Sequence, residues 1–404
     1  MQKDLNTDAA CNLLYSQEVK LAKQTSAIGD ALGRVVATDT KARIPYPPFD
    51  RSPFDGYALK AQDTKNATSD SPAVFKIIEE LPAGTQPRCS ITSGHAAKIL
   101  TGAPIPIGAN TTIRYEDTLF TDSEVRIFAP VKENSNLVFA GVDIKPGEIL
   151  ASQGTVITAP IISSLTNQGY ASIEVFKKPV ISVISTGSEL CEVGQPLKPA
   201  TIYNSNVHTL CAYLTDVGAA AINGGTVPDH PDVIATRIDE AFCKSDMVIT
   251  TGGASVGSYD WAVSASEQIG AKVLFWKASM RPGGAIVVAI KDGKVILGLS
   301  GNPAAAVIGL LRIAMPYIKK LCGRTDCFYP EVNVTLREPL LKSNPKMRIL
   351  RGKLEIVNSI AYFSPIDGQG SEIVSSLEKC DLLGEVPQNA PPLPAGSIIK
   401  AYRI

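Results

Sequence analysis

Met247–Asp260 reads MVITTGGASVGSYD. Its first residues are a continuous apolar and β-branched run, the mark of a strand buried on both faces. Three glycines and two serines follow, and the chain then enters a helix near Asp260 and Trp261. Glycine lets backbone N–H groups turn inward and approach a ligand closely. A helix N-terminus adds partial positive charge. Such a loop suits an anion, most often phosphate, with Gly252, Gly253, Ser255 and Gly257 as the contacting positions. The plainer alternative is a tight strand-to-helix connection. Asp260 has the same two readings: a carboxylate that complements the helix dipole, or a ligand for a cation bridging phosphate oxygens.

Two further loops have this form. Ser185-Thr186-Gly187-Ser188-Glu189 follows the apolar run Val180–Ile184, and Gly298-Leu299-Ser300-Gly301-Asn302-Pro303 follows Val295–Leu299. Three loops thus leave the carboxyl ends of three expected strands, the edge at which open α/β sheets bind ligands. Between them lie two expected helices. One is capped by Asn204 or Ser205, carries Val207, Leu210, Cys211, Leu214 and Val217 on one face, and ends at Gly218. The other has Pro231 at its first position and runs through Ile234, Ile238, Ala241 and Phe242. Strands are also expected at 273–275 and 285–290, the latter joined to 295–299 by a tight turn at Lys291-Asp292-Gly293-Lys294, and a last helix runs from Pro303 to near Leu321. Alternating strands and helices make residues 179–326 a doubly wound α/β domain.

The flanking regions differ. Residues 1–40 read as helical, and 1–44 with 146–178 form a mixed linker domain with a short helix near Ile161–Leu165 and a strand at Ile173–Phe176. Residues 45–145 contain short β runs such as Val74–Ile78 and Thr112–Tyr115, separated by Gly/Pro/Asn clusters, and read as a β-rich domain. Residues 327–404 alternate in β fashion and form a closing, barrel-like β domain.

Composition narrows the function classes. The 404 residues hold 39 basic and 39 acidic side chains, so no charge excess points to nucleic acid or an anionic membrane. No apolar run is long enough for a membrane span, and the N-terminus lacks a signal-peptide core; a cytoplasmic protein is expected. Eight cysteines form no Cys-x-x-Cys pair and read as reduced thiols, and three scattered histidines offer no metal site. A second cluster, Pro47-Pro48-Phe49-Asp50-Arg51-Ser52-Pro53-Phe54-Asp55-Gly56-Tyr57, is either a proline-stiffened loop with an Asx turn at Asp55 or part of a site. Thr101–Asn110 is likewise a β-module loop or a ligand lip.

Taken in order, these segments resemble the molybdopterin molybdenumtransferase family, that is, MoeA and the gephyrin E domain. ALGRVVATD with PPFDRSPFDGYAL, SGHAAKILTGAPIPIGAN, PVISVISTGSEL, IYNSNVHTL, VPDHPD, TGGASVGSYD, GLSGNPAAA and GSEIVSSLEKCDLLGEVP carry the likeness along nearly the whole chain. The resemblance implies a four-part fold with a central MogA-like domain and a β-rich lid. It also implies a homodimer whose cleft lies between the α/β domain of one subunit and the β-rich domain of the other. The implied activity is insertion of molybdate into adenylylated molybdopterin with release of AMP, using a divalent cation, usually Mg2+, in the company of other molybdenum-cofactor pathway proteins. Positions matching the family's functional side chains are Asp55, Glu189 and Asp143 as catalytic, Thr101 as substrate-binding, and Asp229 and Asp260 as metal-binding, while Thr186, Gly187, Gly301, Asn302 and Pro303 are the expected substrate-binding positions of the two companion loops. The chain departs from the family at charged positions. Asn136–Ile144 lacks the usual arginines and has Val142 for an acid, Asn204 replaces an aspartate, and Gly284 replaces a lysine. Lost cations weaken transition-state stabilisation, about 2.7–4 kcal/mol per donor. The alternatives are therefore a catalytically impaired paralogue that binds cofactor or a protein partner, or another nucleotide or sugar-phosphate enzyme.

Overall fold

The computed structural model describes residues 2–252, 259–343 and 345–404, and the side chains of all of these except 259–261. Gly253, Ser255 and Gly257, and the side chain of Asp260, lie outside the described residues.

The centre is a seven-stranded sheet in the order Ala220–Val227, Val180–Thr186, Met247–Thr251, Lys294–Leu299, Ile286–Lys291, Lys272–Ala278, Gln2–Leu5. The first four are mutually parallel, and Ile286–Lys291 is antiparallel to both neighbours. Alternate residues of each run face opposite layers. Ile181, Val183, Met247, Ile249, Val295 and Leu297 pack under the helices Ser205–Asp216 and Pro303–Leu321. Ile184, Val248 and Ile296 pack under Pro231–Phe242 and Tyr259–Gln268. This two-sided burial is why the strands read as unbroken apolar runs, and the architecture is the doubly wound one expected, with Gln2–Leu5 added at its edge. The Asn204 side chain accepts from Val207 N–H and caps its helix, and Asp292 and Gly293 both take positive φ, as a two-residue hairpin turn requires.

The helical reading of residues 1–40 is corrected. Only Thr7–Tyr15 is α-helical; Gln2–Leu5 is an edge strand parallel to Lys272–Ala278, and Lys23–Ala27 pairs with Ser172–Phe176. Ala10 and Leu14 enter the same core layer as Pro303–Leu321. The last helix is also not uniform. Leu310–Ala314 is a π segment between Pro303–Gly309 and Met315–Leu321. Pro316 has no N–H, and its ring collides with the carbonyl four residues earlier, that of Arg312; the wider turn relieves that clash.

Residues Thr111–Arg114, Gly56–Leu59, His95–Ile99, Ala73–Leu81, Glu124–Ile127 and Thr118–Phe120 form a six-stranded sheet in that order. In the C-terminal region Met347–Val357 pairs with both Ile360–Pro365 and Leu382–Val386. Glu331–Leu336 and Ile398–Arg403 complete the ring and close a five-stranded barrel. Phe363 fills it, directly over Gly352 and Gly384, where a Cβ would meet the ring at 2.2 and 2.8 Å.

Candidate functional site

In the central sheet the strand Val180–Thr186 lies between Ala220–Val227 and Met247–Thr251, although it precedes both in the chain. Connections therefore leave in opposite directions on either side of it, which opens a crevice at the carboxyl ends. A cleft of about 570 Å³ occupies that point. Thr186, Glu189, Asp229, Gly252, Gly301, Asn302 and Pro303, all expected from the sequence, line it.

The three loops interlock. Gly252 takes φ +115°, and a Cβ there would fall 2.1 Å from the carbonyl oxygen of Thr186. At Gly301 a Cβ would lie 3.3 Å from Gly252 Cα. Asn206 ties two of the loops together, its Nδ2 donating to Thr251 Oγ1 at 3.0 Å and to the Gly301 carbonyl at 2.8 Å. Gly187 N–H donates to the Val227 carbonyl at 3.1 Å, and the Glu189 carboxylate lies directly over Gly187. Two polar atoms in this floor, Asp229 Oδ1 and Thr186 Oγ1, are buried without a hydrogen-bond partner among the described residues. Each forgoes a bond worth about 1 kcal/mol or more in the free fold, the condition expected where a ligand or cation supplies the missing contact.

The barrel supplies a wall the sequence did not indicate. Glu372 lines the cleft. The neighbouring Ser371 carbonyl accepts from Ala304 and Ala305 N–H at 3.0 and 3.3 Å, and its Oγ accepts from Asn302 Nδ2 at 3.0 Å. The first N–H groups of the Pro303 helix are thus engaged by the protein itself, and Gly301–Pro303 serve the cleft through the loop rather than through the helix N-terminus. Behind this segment Arg351 is fully buried, with Nη2 donating to the carbonyls of Gly368 and Gly370. Its Nε and Nη1 have no partner among the described residues, and burial holds the guanidinium below its ordinary pKa. Ser371 and Glu372 fall in the quoted C-terminal motif, which spoke for the family likeness and not for a site, and nothing local to the sequence marks Arg351.

Asp55, Thr101 and Asp143 lie outside the cleft lining, and Asp55 and Thr101 meet in the β-rich region. Asp55 Oδ1 accepts from both the N–H (2.7 Å) and the hydroxyl (2.8 Å) of Thr101, which together hold its carboxyl below the ordinary range. Arg51 bridges Pro104 and Val138, and Ala140 N–H donates to Asp50 Oδ1 at 2.8 Å. Asp143 N–H donates to the Tyr46 carbonyl at 3.1 Å, so the proline-rich loop, the Thr101 loop and the 138–144 stretch converge. Around them Phe49, Phe139 and Val142 are exposed, an apolar border to the cluster.

Gly284 is a glycine for a steric reason. A Cβ there would lie 2.3 Å from the Met280 carbonyl oxygen and 2.4 Å from that of Ala278. All eight cysteines are free thiols. No helix among the described residues is long and apolar enough to cross a membrane.

Known proteins resemble this chain along nearly its whole length. Residues 5–169 match the family model of the MoeA N-terminal region (domains I and II), and residues 182–320 match that of a probable molybdopterin binding domain. A molybdopterin molybdenumtransferase of Staphylococcus aureus is 33% identical over 390 residues, covering 96% of this chain and 93% of its own. One from Staphylococcus epidermidis is 31% identical over 395 residues, covering 98% and 94%. The crystal structure of a molybdopterin biosynthesis MoeA protein from Pyrococcus horikoshii superposes with a TM-score of 0.85 at 26% identity, covering 99% of this chain and 100% of that one.

Proposed function

The chain belongs to the molybdopterin molybdenumtransferase family, and on that premise we propose that its cleft binds adenylylated molybdopterin, releases AMP from it and receives molybdate at the dithiolene. The observation that carries the reading is the interlocked glycine cleft at the sheet's switch point, in a chain matched end to end by transferases of that name. The alternative of a non-catalytic paralogue is not favoured by those matches, which are to transferases by name over nearly the whole chain.

The bond broken is the phosphoanhydride: a water oxygen joins one phosphorus, the bridging oxygen leaves with the other, and the two protons of water pass to solvent or to nearby carboxylates. The Thr186, Gly252 and Gly301 loops hold the nucleotide and phosphates. Glu189, whose carboxylate stands over Gly187, is placed to hold a proton or to orient the reacting phosphate.

Asp229 and Thr186 would hold a divalent cation such as Mg2+, because their buried oxygens, unpartnered among the described residues, are the hard donors that ion prefers; when bound it would neutralise phosphate charge. Among the described residues no three His, Cys, Asp or Glu side chains converge as a metal cage. Mg2+ takes one or two carboxylates and completes its shell with phosphate oxygens and water. Asp260 is the family's second candidate for this role.

Asp55, Thr101 and Asp143 are catalytic or binding residues in this reading, presented by the β-rich domain of a second copy to the cleft of the first. Their position outside the lining of the cleft in their own chain supports a homodimer. The direct test mixes purified protein with adenylylated molybdopterin, molybdate and Mg2+. AMP release is expected; none above background, with an active relative run alongside, would overturn the proposal.

A further inference from the structure

Below the cleft four polar side chains form a chain whose proton directions are all determined. Val207 N–H can only donate, and it points at Asn204 Oδ1 at 3.4 Å. That sets the amide: Asn204 Nδ2 faces Thr226 Oγ1 at 2.9 Å and must be the donor. Having accepted there, Thr226 gives its single proton to Glu192 Oε1 at 2.8 Å. On the other side Asn204 Oδ1 has no proton, so Ser185 Oγ donates to it at 2.9 Å. Ser185 and Asn204 are each 1% exposed and both line the cleft, while Glu192 stands exposed outside it. The hydroxyl proton of Ser185 is therefore spent inward, and only its lone pairs remain for a ligand.

We propose that Asn204 is a positioning residue: its amide, set by Val207 N–H and kept by Thr226, whose own proton goes to Glu192, holds Ser185 as a hydrogen-bond acceptor, which selects a ligand N–H donor at the cleft floor rather than a further oxyanion. The proposal rests on the reading above for the identity of the ligand, whose adenine and pterin rings carry such N–H groups. It gives Asn204 a purpose. An aspartate in its place could not donate to Thr226, and two carboxylates would then compete for one hydroxyl proton.

That competition provides the test, made on four full-length proteins: wild type, N204D, E192Q and N204D/E192Q. Each is measured for thermal unfolding without ligand and for the dissociation constant of adenylylated molybdopterin. N204D is expected to melt earlier and to bind about 5- to 10-fold more weakly, the scale of one hydrogen bond. E192Q alone stays within about 3-fold, because its amide oxygen still accepts from Thr226. The double variant recovers both readouts, because the amide introduced by E192Q now donates to Thr226, which turns its own proton to the carboxylate introduced by N204D. Equal behaviour of N204D and the double variant would overturn the relay. Rescue of melting with no change in binding across the series would overturn its role toward the ligand. AMP release by the wild type, run in parallel, separates the two claims: release without rescue sinks this proposal alone, rescue without release sinks only the assignment of the reaction, and absence of binding sinks both.

Discussion

Replacing Arg312 with methionine is expected to loosen the joint between the barrel and the central domain by about 3 kcal/mol. Arg312 is 8% exposed and sits in the π segment. Its Nε donates to Glu385 Oε1 at 2.7 Å, and Nη2 reaches Asp8 and, at 3.2 Å, Tyr402. Burial alone works against the charge, but Glu385, Tyr402 and Asp8 outweigh it and hold the guanidinium above its ordinary pKa. One cation thus ties the N-terminal helix, the long helix and two barrel strands together. Removing one partner of a buried pair costs about 3–5 kcal/mol because the other charge is stranded. Glu385 is 4% exposed but keeps Lys400 at 3.0 Å, which places the cost at the lower end. Asp8 is more than half exposed and adds little.

The assay is native-state amide exchange in Leu382–Val386 and Met315–Leu321, which reads local opening without requiring the whole chain to unfold in two states. Exchange there should speed on the order of 100-fold, since each 1.4 kcal/mol is a factor of ten. R312M/E385M, with the stranded carboxylate also removed, should recover most of the loss. Exchange within about 3-fold of wild type in R312M, or a double variant no better than the single, would refute the assignment. Because Ser371 and Glu372 reach the cleft from the barrel, R312M should also weaken substrate binding.

Introducing a lysine with G284K is expected to lower the melting temperature and AMP release, since its Cβ would strike two backbone carbonyls; overpacking of this kind costs about 1–3 kcal/mol or more, and a G284K protein that melts like wild type would contradict it. The depressed Asp55 carboxyl predicts a pH dependence with a definite sign. A folded pKa below the unfolded one gives a contribution present above the ordinary carboxylate range and lost as pH falls through the folded value. T101V removes the hydroxyl donor and leaves the N–H, so NMR titration should find Asp55 protonating at a higher pH than in wild type; an unmoved titration would count against the Thr101 contact.

The strands Val180–Thr186, Met247–Thr251 and Lys294–Leu299 were legible because both their faces are buried, and an apolar run needs no context to be read. Gln2–Leu5 was not, since QKDL is polar and becomes a strand only because an edge of the sheet is there to receive it. The π segment escaped for a related reason: Pro316 marks a conflict, but its resolution depends on the packing around Arg312. Of the site, Thr186, Glu189, Asp229 and Gly252 could be named from loop chemistry and family likeness. Glu372 and Arg351 could not, since they come from a barrel whose position against the cleft is a matter of domain docking.

The sequence by itself determined the types of most central elements, the three glycine loops and the family. These depend on local chemistry: periodicity, caps, turn residues and motif order. Only the tertiary structure decided how the parts bear on one another. It left Asp229 Oδ1 and Thr186 Oγ1 without partners among the described residues, gave the helix N-terminus at Pro303 to Ser371, and closed Gly284 to any side chain. It also set the direction of every proton between Ser185 and Glu192. Hydrogen-bond polarity, burial and steric room belong to pairs of groups distant in the chain, and no reading of either member alone contains them.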